Sequence, residues 1–196
     1  MNAASSRTSA RREQILAHAQ RLFLAKGIDH VTTRDIASAV GISQPSLYAH
    51  FKSRDEIARV LSERAFDRLT DRMSKVAGAS GTAQERLLRM GEEYVAFGLE
   101  ESAAYRVAFM LEQGTSTPVE PAEIHQAGMR CFGILHDLFK EVRGSDDAPT
   151  AARAQSSWAS MHGLVALLLT RPEFPWVDQR ALIADHLENV CRRAFD

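Results

Sequence analysis

Apolar side chains recur at helical spacing along almost the whole chain. Ile15, Leu16, Ala19, Leu22 and Phe23 form one stripe, closed by Gly27, and predict a helix over 12–26. Ile57, Val60, Leu61, Leu69 and Met73 predict a long helix over 55–76, entered through Ser53 and Asp55 with Glu56 in its first turn. Gly78, Ser80 and Gly81 make the clearest break. Leu87, Leu88, Met90, Tyr94, Val95 and Phe97 then predict a helix over 83–99, and a short one follows over 100–111. The run 114–121 reads as a loop, and 144–149 as a second, polar and acidic one. Between them, Ile124, Met129, Cys131, Phe132, Leu135, Leu138 and Phe139 predict a helix over 122–142 with those residues facing inward. The last two helices are predicted over 150–170 and 178–195, separated by Pro172 and Pro175. The fold class is all-α, with about nine helices.

The stretch 33–51 carries a tighter pattern than a generic helix pair. Counting Thr33 as the first position, Ala37 is fifth, Gly41 ninth and Leu47 fifteenth. Ala37 is small where helices cross closely, and Gly41 can take the positive φ of a tight inter-helix turn. Leu47, with Ile36, Val40 and Ile42, supplies apolar contacts that lock two helices at a fixed angle. Thr32 or Thr33 caps the first of these helices, with Asp35 serving the same helix start. Ser43 can cap the second, and Pro45 falls in its first turn, where a missing N–H costs nothing. Gln44, Ser46, Tyr48 and His50 are left pointing outward, on a helix narrow enough for a DNA major groove.

The run over 150–170 is apolar on more than one face: Trp158 and Met161 precede Leu164-Val-Ala-Leu-Leu-Leu169. Such a helix must meet two surfaces, its own core and something else. With Leu182, Ile183, Leu187 and Val190 in the final helix, this predicts a four-helix interface between two copies of the chain.

Composition narrows the function. A length of 196 residues suffices for one good core, or for a small domain beside a larger one. No apolar run reaches the roughly 20 residues needed to cross a bilayer, and the polar first residues lack a signal peptide's apolar segment. Cys131 and Cys191 are isolated, so a disulfide framework is not expected and a cytoplasmic location is. The net charge of −1 conceals an asymmetry. Residues 1–55 carry eight Lys or Arg against four Asp or Glu, and the remainder sixteen against twenty-one. A basic head on an acidic body suits a protein that meets phosphate at one end. Residues 1–10 are expected to form a flexible basic arm with Arg7, which Arg11 and Arg12 continue. Enzymatic signatures are absent: there is no Gly-rich phosphate loop, no Gly-x-Ser-x-Gly and no His-Glu-x-x-His. The histidines lack paired metal spacing, so no metal and no cofactor is expected.

Thr33-Arg-Asp-Ile-Ala, Val40-Gly-Ile-Ser and Leu47-Tyr-Ala-His-Phe-Lys-Ser-Arg-Asp-Glu-Ile57 together resemble the DNA-binding domain of the TetR family of transcriptional regulators. The run from Ile15 to Gly27 resembles that family's first helix. Trp158-x-x-x-His162-Gly163 resembles the family's WHG type of C-terminal domain. The resemblance implies a helix-turn-helix domain over 11–54 and a ligand-binding, dimerising domain over 55–196. It implies a homodimer on operator DNA that answers a small-molecule effector, most simply as a repressor. Gln44, Ser46 and Tyr48 are then expected to read bases, with Pro45 shaping their helix. Thr33, Ser43, His50 and Lys52 are expected to hold phosphates, and Arg34 or Tyr48 could do so too. The pocket it implies would be walled by Tyr94, Phe97, Tyr105, Phe109, Met129, Phe132, Trp158 and His162, a mixture that suits an apolar or aromatic effector. Aromatic side chains at helical spacing are more often simply core, and the pocket reading comes mainly from the resemblance. The alternative is a helical small-molecule-binding or protein-interaction protein that binds no specific operator.

Overall fold

The computed structural model describes residues 3–110 and 122–195, with side chains at 7–110 and 126–194. The described residues form nine helices and no strand. In order they are α1 (Ala3–Lys26), α2 (Thr33–Val40), α3 (Gln44–Tyr48), α4 (Arg54–Ala77), α5 (Ala83–Glu100), α6 (Ser102–Phe109), α7 (Ala122–Arg143), α8 (Ala148–Thr170) and α9 (Gln179–Phe195). The loop expected over 114–121 lies outside the described residues, as does the side chain of Ile124.

Two boundaries differ from expectation. The segment 1–10 was expected to be an unstructured arm, yet α1 already begins at Ala3. Neither glycine nor proline interrupts those residues, and alanine and arginine favour the helix. The helix expected to start at residue 150 starts at Ala148 instead, because the Asp147 carboxylate accepts from the Thr150 N–H at 2.9 Å and Pro149 fits the first turn.

The chain divides into two compact units, Met1–Ala65 with Ala103–His125, and Phe66–Ser102 with Gln126–Asp196. The division falls within α4, after Ala65, rather than before it at 54/55. Part of α6 also belongs with the N-terminal residues. Val107 is 1% exposed in their core, and the buried Ser62 hydroxyl donates to its carbonyl at 3.4 Å.

The first unit is built around the α1 stripe. Ile15, Leu16, Ala19 and Phe23 are buried with Ile36 and Ala37 of α2, Leu47 of α3, and Phe51 and Ile57 beyond it. Each fully buried large side chain contributes roughly 1.5–3 kcal/mol, enough to fix a five-residue helix that could not persist alone. Gly41 makes the turn at φ 76°, ending α2 with its N–H directed to the Ala37 and Ser38 carbonyls.

In the second unit α5 packs on α8 and α9. A Cβ on Gly91 would come within 2.7 Å of Leu187 Cδ2, so glycine lets α5 and α9 approach. Cys131 and Cys191 are buried free thiols, each pushed up to about 11, chiefly by burial. Leu167 of α8 is half exposed, and Leu168 and Leu169 are only partly covered. No helix among the described residues is long and apolar enough to cross a membrane.

Candidate nucleic-acid interface

Local hydrogen bonding sets the two short helices. Thr32, not Thr33, caps α2. Its hydroxyl accepts from the Asp35 N–H at 3.1 Å, while Asp35 Oδ2 accepts from the Thr32 N–H at 2.8 Å and from its hydroxyl at 2.6 Å. Bonds from the Thr32 hydroxyl and N–H hold the Asp35 carboxyl below the usual carboxylate range. The start of α2 is thereby served by the chain's own carboxylate, which leaves less of it for a phosphate. Ser43 caps α3, accepting from the Ser46 N–H at 3.3 Å, with Pro45 in the first turn.

This geometry gathers three of the expected residues. Gln44 Nε2 lies 3.1 Å from Thr33 Oγ1 and 3.5 Å from the Tyr48 hydroxyl, and the two hydroxyl oxygens lie 3.3 Å apart. Tyr48 is half exposed, while Gln44 and Ser46 are partly covered. Arg34, Ser43, Pro45 and Lys52 are exposed, and His50 is partly buried. The Lys52 N–H donates to Glu56 Oε2 at 2.5 Å, and Ser53 caps α4 by accepting from the Glu56 N–H at 3.0 Å.

Arginines brace this assembly from behind. Arg54 Nη1 donates to the Ile28 carbonyl at 3.0 Å, and its guanidinium pairs with Asp29 and Asp55. Arg64 grips both oxygens of Glu13 at 2.6 and 2.8 Å, holding that carboxyl below its usual range. Arg12, expected to extend the arm, instead donates from Nη1 to the His50 carbonyl at 2.6 Å and lies 3.9 Å from the Phe51 ring centroid. Sequence reasoning missed this, although a signal was present. Arg12 continues the stripe of Ile15, Leu16 and Ala19 by one turn.

The residues expected to wall a pocket divide. Phe97 and Tyr105 are 0% exposed and Tyr94 2%, so all three are buried. Phe109 packs on Tyr105 with centroids 4.8 Å apart. In the second unit Trp158 Nε1 donates to the Tyr94 hydroxyl at 3.2 Å, and the Trp158 and Phe132 centroids lie 5.9 Å apart. His162 is partly exposed, with burial lowering its pKa. Met129 does not face inward: it is 52% exposed. The buried stripe of α7 runs through Ala127, Cys131 and Leu135, and a residue two along from Ala127 is turned about 200° away.

A short cap-and-turn helix pair braced by a third helix, with a polar row on the second, defines a helix-turn-helix, the class of unit that presents its second helix to a DNA groove. Known proteins agree. Residues 15–61 match the family model for bacterial regulatory proteins of the tetR family, and residues 87–189 match that for tetracyclin repressor-like C-terminal domains. Over 134 residues the chain is 28% identical to the HTH-type transcriptional activator FasR of Mycolicibacterium smegmatis, covering 68% of this chain and 61% of FasR. Over 82 residues it is 32% identical to the HTH-type transcriptional repressor KstR2 of the same species, covering 42% of this chain and 40% of KstR2. The chain therefore spans less than two thirds of either relative. The crystal structure of the MbdR regulator from Azoarcus sp. CIB shares the fold with a TM-score of 0.76 at 20% identity, covering 92% of this chain and 97% of that one. The chain belongs to the TetR family of bacterial regulatory proteins. Regulators of this family bind operator DNA and small-molecule effectors and act as dimers.

Proposed function

We propose that this protein is a cytoplasmic, dimeric repressor whose α3 reads an operator and whose C-terminal unit takes an apolar or aromatic effector that releases the DNA. The observation that carries the DNA reading is the hydrogen-bonded set of Thr33, Gln44 and Tyr48. Two flat or amide-bearing tips held by a third side chain meet a base edge with little ordering left to do. Gln44, Ser46 and Tyr48 are assigned to bases. Arg34, Ser43, His50 and Lys52 are assigned to phosphates, and Thr33 is reassigned from a phosphate to holding Gln44.

The half-exposed Leu167, on a helix already buried along its other side, supports pairing of two copies through α8 and α9. Phe132, Trp158 and His162, each with accessible surface, are the favoured pocket residues. Because α4 contributes to both units, it is the proposed route from effector to α3. No catalytic role is proposed. The relatives include an activator as well as a repressor, so the sign of regulation is tested rather than inherited.

In vitro selection from random duplex DNA with the full chain tests this reading. It should enrich an inverted repeat bound by two chains, as sedimentation would register. Failure to enrich any sequence favours the alternative of a protein-interaction or ligand-sequestering role. Mass spectrometry of small molecules retained on the purified protein tests the effector class, and transcription from a selected operator fixes the sign.

A further inference from the structure

Helix α3 has five residues, and its ends need outside support. Its start is secured by the Gly41 turn and the Ser43 cap, and its middle by buried Leu47. At its far end the N–H groups of His50 and Phe51 both reach back to the Leu47 carbonyl, at 2.9 and 3.0 Å. That end is also where the helix presents unpaired carbonyls and its negative dipole. Arg12 of α1 meets it twice, through the Nη1 bond to the His50 carbonyl at 2.6 Å and the guanidinium 3.9 Å above the Phe51 ring. Phe51 is itself 1% exposed, so the ring cannot swing away.

We propose that Arg12 is a positioning residue for DNA recognition. It fixes the exit of α3, and through it the direction of Tyr48 and Gln44, without itself touching DNA. The inference rests on the reading that α3 meets base edges. One planar cation satisfies a carbonyl edge-on and an aromatic ring face-on together, which an ammonium cannot do with one group in one place. The competing role for an arginine near DNA is a phosphate contact, which lysine would preserve.

The test uses the full-length protein with Arg12→Lys and Arg12→Gln, a duplex enriched by in vitro selection and a random-sequence duplex. If Arg12 positions α3, R12K loses about tenfold in affinity for the selected duplex, the size expected for a charge-assisted hydrogen bond. It should bind the random duplex nearly as the parent does, with the salt slope unchanged on both. In the free proteins the His50 and Phe51 amides should exchange faster in both variants, while those of Ile15 to Phe23 keep the parent rates. Parent-like affinity for R12K, with a flattened salt slope for R12Q, would overturn the proposal in favour of a phosphate contact. So would unchanged exchange at His50 and Phe51. If no duplex is enriched, base reading by α3 is what fails, and the exchange rates still decide the clamp.

Discussion

The side-chain amide of Gln44 sits 3.1 Å from the hydroxyl of Thr33, tying the first residue of α3 to the first residue of α2. The Tyr48 hydroxyl, 3.3 Å from the same Thr33 oxygen, completes the contact. Thr33→Val keeps the shape and removes the hydroxyl. A hydrogen bond contributes roughly 0.5–1.5 kcal/mol net, so affinity for the selected operator should fall by roughly two- to tenfold. Affinity for random DNA should hold. Fluorescence anisotropy on the two duplexes measures both, and an equal loss on each would return Thr33 to the phosphate contacts.

Gln44 and Lys52 are expected to respond in opposite ways. Gln44→Ala should cost about 1–3 kcal/mol on the selected operator and little on random sequence. Lys52→Ala should weaken both duplexes alike and lower the salt slope by about one. Titrations at several salt concentrations check this, and an unchanged slope in K52A removes that ammonium from the interface.

The two structural glycines should fail for different reasons. A Cβ at Gly41 meets nothing within 4 Å, but the φ of 76° is strained for any L side chain. Gly41→Ala should therefore cost about 1–2 kcal/mol through the backbone alone. At Gly91 the backbone is ordinary and the obstacle is Leu187 Cδ2 at 2.7 Å, on a side chain 1% exposed. Gly91→Ala should cost about 1–3 kcal/mol through overpacking. Thermal melts measure both. Gly41→Asn, which tolerates the left-handed region, should recover part of the first loss, whereas Gly91→Ser should recover none of the second.

Acid should loosen the start of α2. The Asp35 carboxyl titrates below its usual range in the folded chain because it accepts from the Thr32 hydroxyl and N–H. A folded-state value below the unfolded one adds stability above the unfolded pKa. That stability disappears as pH falls through the folded value, below about pH 4. Melting curves from pH 7 to pH 3 should fall less steeply for Asp35→Asn than for the parent. Parallel curves would mean that the capping box carries no proton linkage.

What was legible in the sequence was local. Gly41, Ser43 and Pro45 are each demanded by the turn or cap they occupy, and all three stand as read. Most of the nine helices among the described residues follow from apolar periodicity, because burial of one stripe per helix leaves that trace, whereas α2 and α3 follow from their turn and caps. What escaped depends on partners far along the chain. Arg12 meets His50 across 38 residues, and nothing near residue 12 names that partner. Ile57, Ala58 and Leu61 of α4 join the N-terminal core, which moves the unit boundary away from 54/55, and Val107 brings part of α6 into the same unit. Met129 was misread because an apolar residue between two buried ones was counted with them, although the stripe passes on the other side. For the pocket, aromatic spacing alone did not separate packed Phe97 and Tyr105 from partly open Phe132 and Trp158.

Dimethyl sulfate interference on the selected operator tests the central claim most directly, since it marks guanine N7 in the major groove and adenine N3 in the minor groove. The account predicts two clusters of guanine interference in inverted half-sites, separated by about 10–10.5 base pairs or a multiple of that, and the loss of part of each cluster in Gln44→Ala. Interference confined to adenine N3, or a footprint that Gln44→Ala leaves untouched, would contradict it.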